Sequence, residues 1–126
     1  MTISNYLEDS LLNQVLRNTT FASFATVWAS LHTADPGETG TGSPLASTPR
    51  FSVAFNAAVS ATCVNSASAS VVCSATGGVS HIGLWDGSST ATANHLWSGA
   101  LDATKTVANV GDTITLASGD LRVSLA

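Results

Sequence analysis

The chain has 126 residues, the size of one domain, and 44% of them are apolar, which is enough to form a hydrophobic core. Only 10% are charged and the net charge is −4, so the surface lacks the clustered Lys and Arg by which proteins bind nucleic acids or anionic membranes. No apolar run approaches the roughly 18 residues of a membrane helix and no basic segment precedes an apolar one at the amino terminus, so we expect a single domain over residues 1–126 with neither a membrane span nor an export signal.

The first eighteen residues have the pattern of one amphipathic helix. Ser4 or Asn5 can cap its amino terminus, and Asn18 can end it in the left-handed conformation. Apolar residues recur at helical spacing: Ile3, Leu7, Leu11, Leu12, Val15 and Leu16. This stripe can pack on the domain's own sheet, which is the commoner arrangement, or dock on a partner protein. In the docking alternative the candidate contact residues are Leu7, Leu11 and Leu12.

From about residue 24 the apolar period changes to two. Residues 26–33 alternate as a strand does, and a second alternating segment begins at Phe51. The sixteen residues between them, 34–49, contain all three prolines and three glycines. A loop of this length is uncommon inside a domain and is usually functional or disordered, so we expect it to act as a contact arm. Its candidate contact residues are Asp35, Pro36 and Pro44.

The middle of the chain, residues 56–75, consists mostly of Ala, Ser, Val and Asn and contains both cysteines. Cys63 and Cys73 lie symmetrically about Ser68, so a chain that doubled back there would bring the two sulfurs together. Their spacing fits neither a zinc site nor a redox pair. The sequence leaves two alternatives open, a disulfide between Cys63 and Cys73 or two buried thiols.

The last third has the clearest strand pattern. Five alternating segments are separated by turn residues such as Asp86-Gly87 and Gly119-Asp120, and we place them at residues 79–85, 94–101, 105–108, 113–117 and 121–125. Trp85 and Trp97 fall on neighbouring strands, where they could pair across the sheet. The predicted fold is therefore mainly β, an antiparallel β-sandwich or small barrel with one N-terminal amphipathic α-helix.

Residue patterns of catalysis are weak throughout the chain. The glycines of residues 37–43 are spaced like those of a phosphate-binding loop, but the lysine that such a loop needs is missing. His32, His81 and His95 lie in three different predicted strands, and no Gly-x-Ser-x-Gly motif occurs. Four aspartates occupy predicted turns, where Asp serves local backbone bonds: Asp86, Asp102, Asp112 and Asp120. We expect no catalytic residues, no cofactor and no metal, and hence no enzyme.

Several segments, in their order along the chain, carry a family resemblance. They are the helix at residues 5–18, Leu-His-Thr-Ala-Asp-Pro-Gly at 31–37, and the later segments 79–86, 96–101, 104–107 and 117–121. Together they resemble short virion structural proteins of tailed bacteriophages. The likeness covers both ends of the chain, whereas the middle with its two cysteines departs from it. It implies a virion component, assembled in the host cytoplasm, with no catalytic residues to transfer.

Two roles in the virion follow from this resemblance. In the first, which we favour, the protein is a capsid cement or decoration protein, a homo-oligomer that binds the outer surface of major capsid protein capsomers and stabilises the head. In the alternative it is a tail or tail-fibre component that contacts the host surface, with Trp28, Trp85 or Trp97 exposed as a stacking platform. Because large aromatic side chains are more often buried in cores, we expect these tryptophans to be buried. In both roles the partners are other virion proteins.

Overall fold

The structure is a computed structural model and describes residues 2–125. Within these residues, one helix and nine strands follow one another: β1 (Thr2–Ile3), α1 (Asn5–Arg17), β2 (Val27–His32), β3 (Phe51–Val53), β4 (Thr62–Val64), β5 (Ala69–Val72), β6 (Gly77–Trp85), β7 (His95–Val107), β8 (Thr113–Leu116) and β9 (Arg122–Ser124). The mainly β fold with an N-terminal helix is confirmed. All strand pairings are antiparallel, and the sheets in the described part of the chain are open rather than closed into a barrel.

The helix has the ends that its sequence predicts. Ser4 is the N-cap and its hydroxyl accepts a bond from the Leu7 amide at 3.3 Å, while Asn18 ends the helix in the left-handed conformation with φ of 52°. Ser4 also fixes the helix to the sheet, because its amide donates to the Leu96 carbonyl at 2.8 Å and its hydroxyl donates to the His95 carbonyl. The start of α1 is therefore attached to one end of β7.

A five-stranded sheet in the order β1-β7-β6-β2-β3 forms the centre of the molecule. The remaining four strands form two pairs that are nested in the sequence, β4 with β9 and β5 with β8. One cluster of buried apolar side chains joins the central sheet to both pairs and includes Leu7 of the helix. The largest fully buried apolar side chains are Ile82, Leu84, Leu96, Leu116, Val79 and Val107.

The two strands predicted at residues 94–101 and 105–108 are one strand, β7. Where the sequence predicts a turn at Asp102, the strand instead contains a large bulge: His81 is paired with Ala100 and Val79 with Lys105, so that residues 101–104 lie opposite Ser80 alone. Asp102 therefore does lie at an irregularity of the backbone, but this irregularity is a bulge within β7 and not a turn between two strands.

Two contacts that the sequence left open are not formed. Cys63 lies opposite Val123 in the β4–β9 pair, whereas Cys73 follows β5 and bonds through its backbone to residues 111 and 112. Because β4 and β5 pair with different strands, no hairpin brings the cysteines together, and both are free thiols. Trp97 lies opposite Leu84, while Trp85 lies opposite His95, so the two tryptophans are not cross-strand partners.

Candidate functional site

The two faces of the central sheet differ in composition. One face is apolar and contributes Ala29, Leu31 and Leu84 to the core. The register pairs Trp28 with Trp85, Ser30 with Gly83 and His32 with His81, so these residues share the opposite face. His95 of β7 joins them, with its ring centroid 4.9 Å from that of Trp85. This second face, which we call the polar face, carries aromatic rings, imidazoles and a hydroxyl.

Three polar side chains converge above Gly83. The Trp85 indole donates to Ser30 Oγ at 2.8 Å, and Ser30 Oγ lies 2.7 Å from His32 Nε2. A Cβ atom at Gly83 would lie 2.9 Å from Ser30 Oγ and 3.2 Å from His32 Nε2. The absence of a side chain at this position is therefore what makes room for the network.

The network extends to the loop 34–49. His32 Nδ1 lies 2.7 Å from the Gly42 carbonyl, and His95 Nδ1 lies 3.0 Å from the Glu38 carbonyl. A carbonyl can only accept, so in each ring Nδ1 carries the proton. Gly40, with φ of +71°, packs against the His95 and Trp85 rings so closely that a Cβ atom would lie 2.5 Å from His95. The loop is held on the polar face and is not the free contact arm that its sequence suggested.

The candidate contact residues of this loop differ in their exposure to solvent. Pro36 is buried, so no partner can reach it in this conformation. Asp35 and Pro44 are exposed. The Asp35 carboxylate accepts from the Gly37 amide at 2.9 Å, which stabilises the turn that begins the loop. Asp35 and Pro44 stay candidates for a partner contact.

Burial lowers the pKa of His32 from its usual value, and the hydrogen bond to the Gly42 carbonyl offsets part of this effect. The nearby His95, Arg50 and His81 lower the pKa further, so the neutral ring is favoured. With Nδ1 protonated, Nε2 accepts a hydrogen bond from the Ser30 hydroxyl. A serine beside a histidine is the first element of nucleophilic catalysis, but here Ser30 Oγ also accepts the Trp85 bond, which lowers its nucleophilicity. The bond from Ser30 orients the His32 ring, and the bond between His32 Nδ1 and the Gly42 carbonyl joins this ring to the loop.

Between the loop and the polar face lies a cavity of about 220 Å³, which we call the loop cleft. Its lining includes Ser30, His32, Thr41, Pro44, Thr48, Arg50, Trp85 and Thr90. The Arg50 guanidinium stacks on the Trp85 ring, 3.6 Å from its centroid, and donates through Nη1 to the Gly87 carbonyl at 3.1 Å and the Ser89 carbonyl at 2.8 Å. The cleft therefore presents one oriented cation beside threonine side chains and an apolar surface.

A second feature is the outer surface of α1. Leu7 is 3% exposed and Leu11 is half-buried against the core, so Leu7 is unavailable to a partner. Leu12, Val15 and Leu16, which we call the helix face, are 57%, 76% and 75% exposed. The apolar stripe thus divides into a part that packs on the domain and a part that does not. The packing alternative is confirmed for Leu7 and Leu11, whereas docking on a partner through the exposed side of the helix stays a prediction.

Sequence reasoning missed the polar face and Arg50. The alternation of Trp28, Ser30 and His32 was visible, but their convergence on Gly83 depends on the β2–β6 register, which the sequence does not display. The expectation of buried tryptophans is confirmed for Trp85, which is 4% exposed, whereas Trp28 and Trp97 are half-buried. Among residues 2–125 no group of three His, Cys, Asp or Glu side chains is arranged to hold a metal ion. Within the same residues no helix is long and apolar enough to cross a membrane.

Comparison with known proteins places the chain. It matches the model of a family described as Podophage GP4 fiber I protein gp80, and the match runs over residues 2–124. No curated protein matches it. The match extends through the Ala- and Ser-rich middle, which the sequence resemblance did not cover. The chain belongs to the Podophage GP4 fiber I protein gp80 family and is a bacteriophage virion structural protein.

Proposed function

We propose that the protein is a component of a phage tail fibre and that it is attached to another virion protein through the helix face. The helix face carries the proposal, because three large apolar side chains are exposed side by side on a helix whose other side is packed. The description of the family as a fibre protein favours the fibre over the capsid. The proposed role is binding and assembly, without catalysis.

The energy available from the helix face can be bounded. Full burial of a Leu or Val side chain contributes about 1.5–3 kcal/mol, so three residues that are more than half exposed could add roughly 3–6 kcal/mol. This is too little for a stable interface by itself, because association has a large entropic cost. We therefore expect the helix face to be the centre of a larger contact, or to act in several copies at once.

Copy number separates the fibre role from the capsid cement role. A cement protein occurs in numbers comparable to those of the major capsid protein, whereas fibre subunits are few. Gel densitometry of purified virions against the major capsid protein measures the ratio directly. A ratio of a few per cent or less supports the fibre role, and a ratio near one would replace it by the cement role.

The attachment is tested by Val15→Asp, with Val110→Asp as the matched control. Both valines are highly exposed, at 76% and 69%, and only Val15 belongs to the helix face. We expect both variants to fold with unchanged melting temperature, because neither side chain is in the core. Val15→Asp should be lost from virions while Val110→Asp is incorporated normally. Equal incorporation of the two folded variants would refute attachment through the helix face.

A further inference from the structure

Arg50 holds a positive charge in the loop cleft, and within residues 2–125 no carboxylate is bonded to it. Burial lowers the pKa of its guanidinium, and the negative charge of Asp86 offsets part of this effect. Asp86, however, directs its two oxygens to Asn94, which donates to Oδ1 at 2.7 Å and to Oδ2 at 2.8 Å. The hydrogen bonds of Arg50 go to two backbone carbonyls instead. A half-buried guanidinium whose hydrogen bonds go only to neutral carbonyls lacks the bonded anion that usually compensates a buried positive charge.

The guanidinium is also pre-oriented. One face lies on the Trp85 ring, and Nη1 is fixed by the Gly87 and Ser89 carbonyls. An arginine held in this way loses little conformational entropy when it binds a planar anion, and its fork geometry matches the two oxygens of a carboxylate. The chain as a whole is acidic, with a net charge of −4, so general attraction of anions is not expected. An anion that binds here is therefore held by the residues of the loop cleft and not by the overall charge of the protein.

The rest of the lining indicates what carries the carboxylate. Thr41, Thr48 and Thr90 bring hydroxyl-bearing side chains to the cleft. Leu31, Pro44 and Leu45 contribute to the apolar surface, which is the larger part of the lining. A pyranose ring presents hydroxyls at its edge and an apolar face, and so meets both kinds of surface. At about 220 Å³ the cavity is below the 300–1,000 Å³ of sites for drug-sized ligands. It has room for one small ring rather than an extended chain segment.

We propose that the loop cleft binds a single acidic sugar residue, with Arg50 pairing the sugar carboxylate and the threonine hydroxyls bonding the ring. The proposal rests on the fibre role, because a fibre is the part of a virion that meets glycans of the host surface. It assigns to the loop 34–49 the task of forming one wall of the site. The bonds from His32 and His95 to the loop keep that wall in place.

The test titrates the full chain with glucuronic acid and N-acetylneuraminic acid and follows the amide signals by NMR. Glucose, inorganic phosphate and N-acetylglutamate amide serve as probes for a neutral sugar, a free anion and an acidic peptide. We expect saturable shifts with at least one acidic sugar, concentrated in the loop cleft, and none with glucose. Saturation by N-acetylglutamate amide or phosphate at equal or lower concentration would overturn the assignment to a sugar, and the absence of any saturable shift would overturn the site.

Variants assign the binding to Arg50. Arg50→Gln should weaken binding by roughly tenfold or more, while the matched control Arg122→Gln, at an exposed arginine of β9, should leave it unchanged. Because Arg50 also binds the carbonyls of the 87–89 turn, Thr90→Val provides a second variant: Thr90 is exposed, so the fold is preserved, and binding should still weaken several-fold. Unchanged affinity in both Arg50→Gln and Thr90→Val would refute the proposal.

The outcome is separable from that of the fibre role. Sugar binding is measured on the isolated protein, whereas attachment is measured on virions. Val15→Asp should still bind the sugar, and Arg50→Gln should still be incorporated into virions. Failure of the titration with normal incorporation of Arg50→Gln would reject the site and leave the fibre role standing.

Discussion

Gly40 provides the sharpest test of how the loop 34–49 is held on the polar face. It has φ of +71° and touches the rings of His95 and Trp85, and a Cβ atom there would lie 2.5 Å from the first and 2.7 Å from the second. Gly37 has the same φ of +71°, but a Cβ atom at Gly37 would have no neighbour within 4 Å. Gly37→Ala and Gly40→Ala therefore share the backbone strain and differ only in the contact with the rings.

The magnitudes follow from this comparison. An alanine in the left-handed region costs about 1–2 kcal/mol, and the smaller conformational freedom of the unfolded chain returns about 0.4–1 kcal/mol, so Gly37→Ala should cost about 1 kcal/mol. Overpacking against two buried rings adds about 1–3 kcal/mol for Gly40→Ala. For a chain of this length 1 kcal/mol corresponds to about 4 °C in melting temperature, so Gly40→Ala should melt about 4–12 °C below Gly37→Ala.

The assay is thermal unfolding by circular dichroism, with urea unfolding as an independent measure of the free energy. Hydrogen exchange of the loop amides gives a second readout, because a displaced loop exchanges faster while the sheet stays protected. If Gly40→Ala and Gly37→Ala lower the melting temperature equally, Gly40 is not in contact with the two rings, and the described packing of the loop on the polar face is wrong.

Three further predictions concern other parts of the molecule. Asn65 is fully buried and makes three side-chain bonds, so Asn65→Ala should cost about 3–5 kcal/mol in urea unfolding, whereas Ser66→Ala at the exposed neighbour should be nearly neutral. The pKa of His32 is lowered in the folded protein, so as the pH falls the unfolded chain binds the proton first. The stability that neutral His32 contributes is therefore complete above about pH 6.5 and is lost below it. His32→Gln should make the free energy of unfolding less dependent on pH in this range, and an identical slope in wild type and variant would contradict the effect. Burial raises the pKa of the Cys73 thiol, so iodoacetamide should modify native protein at Cys63 alone, as read by mass, and both thiols after denaturation.

The parts of the fold that the sequence predicted are those specified by neighbouring residues. The helix from Asn5 to Arg17 depends on Ser4 and Asn18 at its ends, and both signals are local. Strands β2, β3, β6, β8 and β9 coincide with alternating segments. The short strands β4 and β5 were not foreseen, because their small side chains carry no distinct alternation. Their partners lie at the other end of the chain, and such pairing is fixed by tertiary contacts such as those of Asn65 with residues 117 and 121.

The candidate sites were predictable to different degrees. The apolar stripe of the helix was evident, but it is wider than one contact can cover, and nothing local decides that Leu7 is buried and Val15 exposed. The loop cleft could not be predicted, since Arg50, Ser30 and Trp85 lie far apart in sequence and meet only through the sheet register and the loop. The prolines and glycines of residues 34–49 predicted a functional loop. Nothing in the sequence indicated that His32 and His95, which lie in different strands, both bond to this loop.

The central claim is that the helix face binds a fibre or tail protein in the assembled virion. A photo-reactive benzoylphenylalanine at Leu16, which is 75% exposed, places a cross-linker within this face without disturbing the core. After irradiation of purified virions, mass spectrometry identifies the protein joined to residue 16. The account predicts a fibre or tail protein. A cross-link to the major capsid protein, or none in virions that contain the protein, would contradict it.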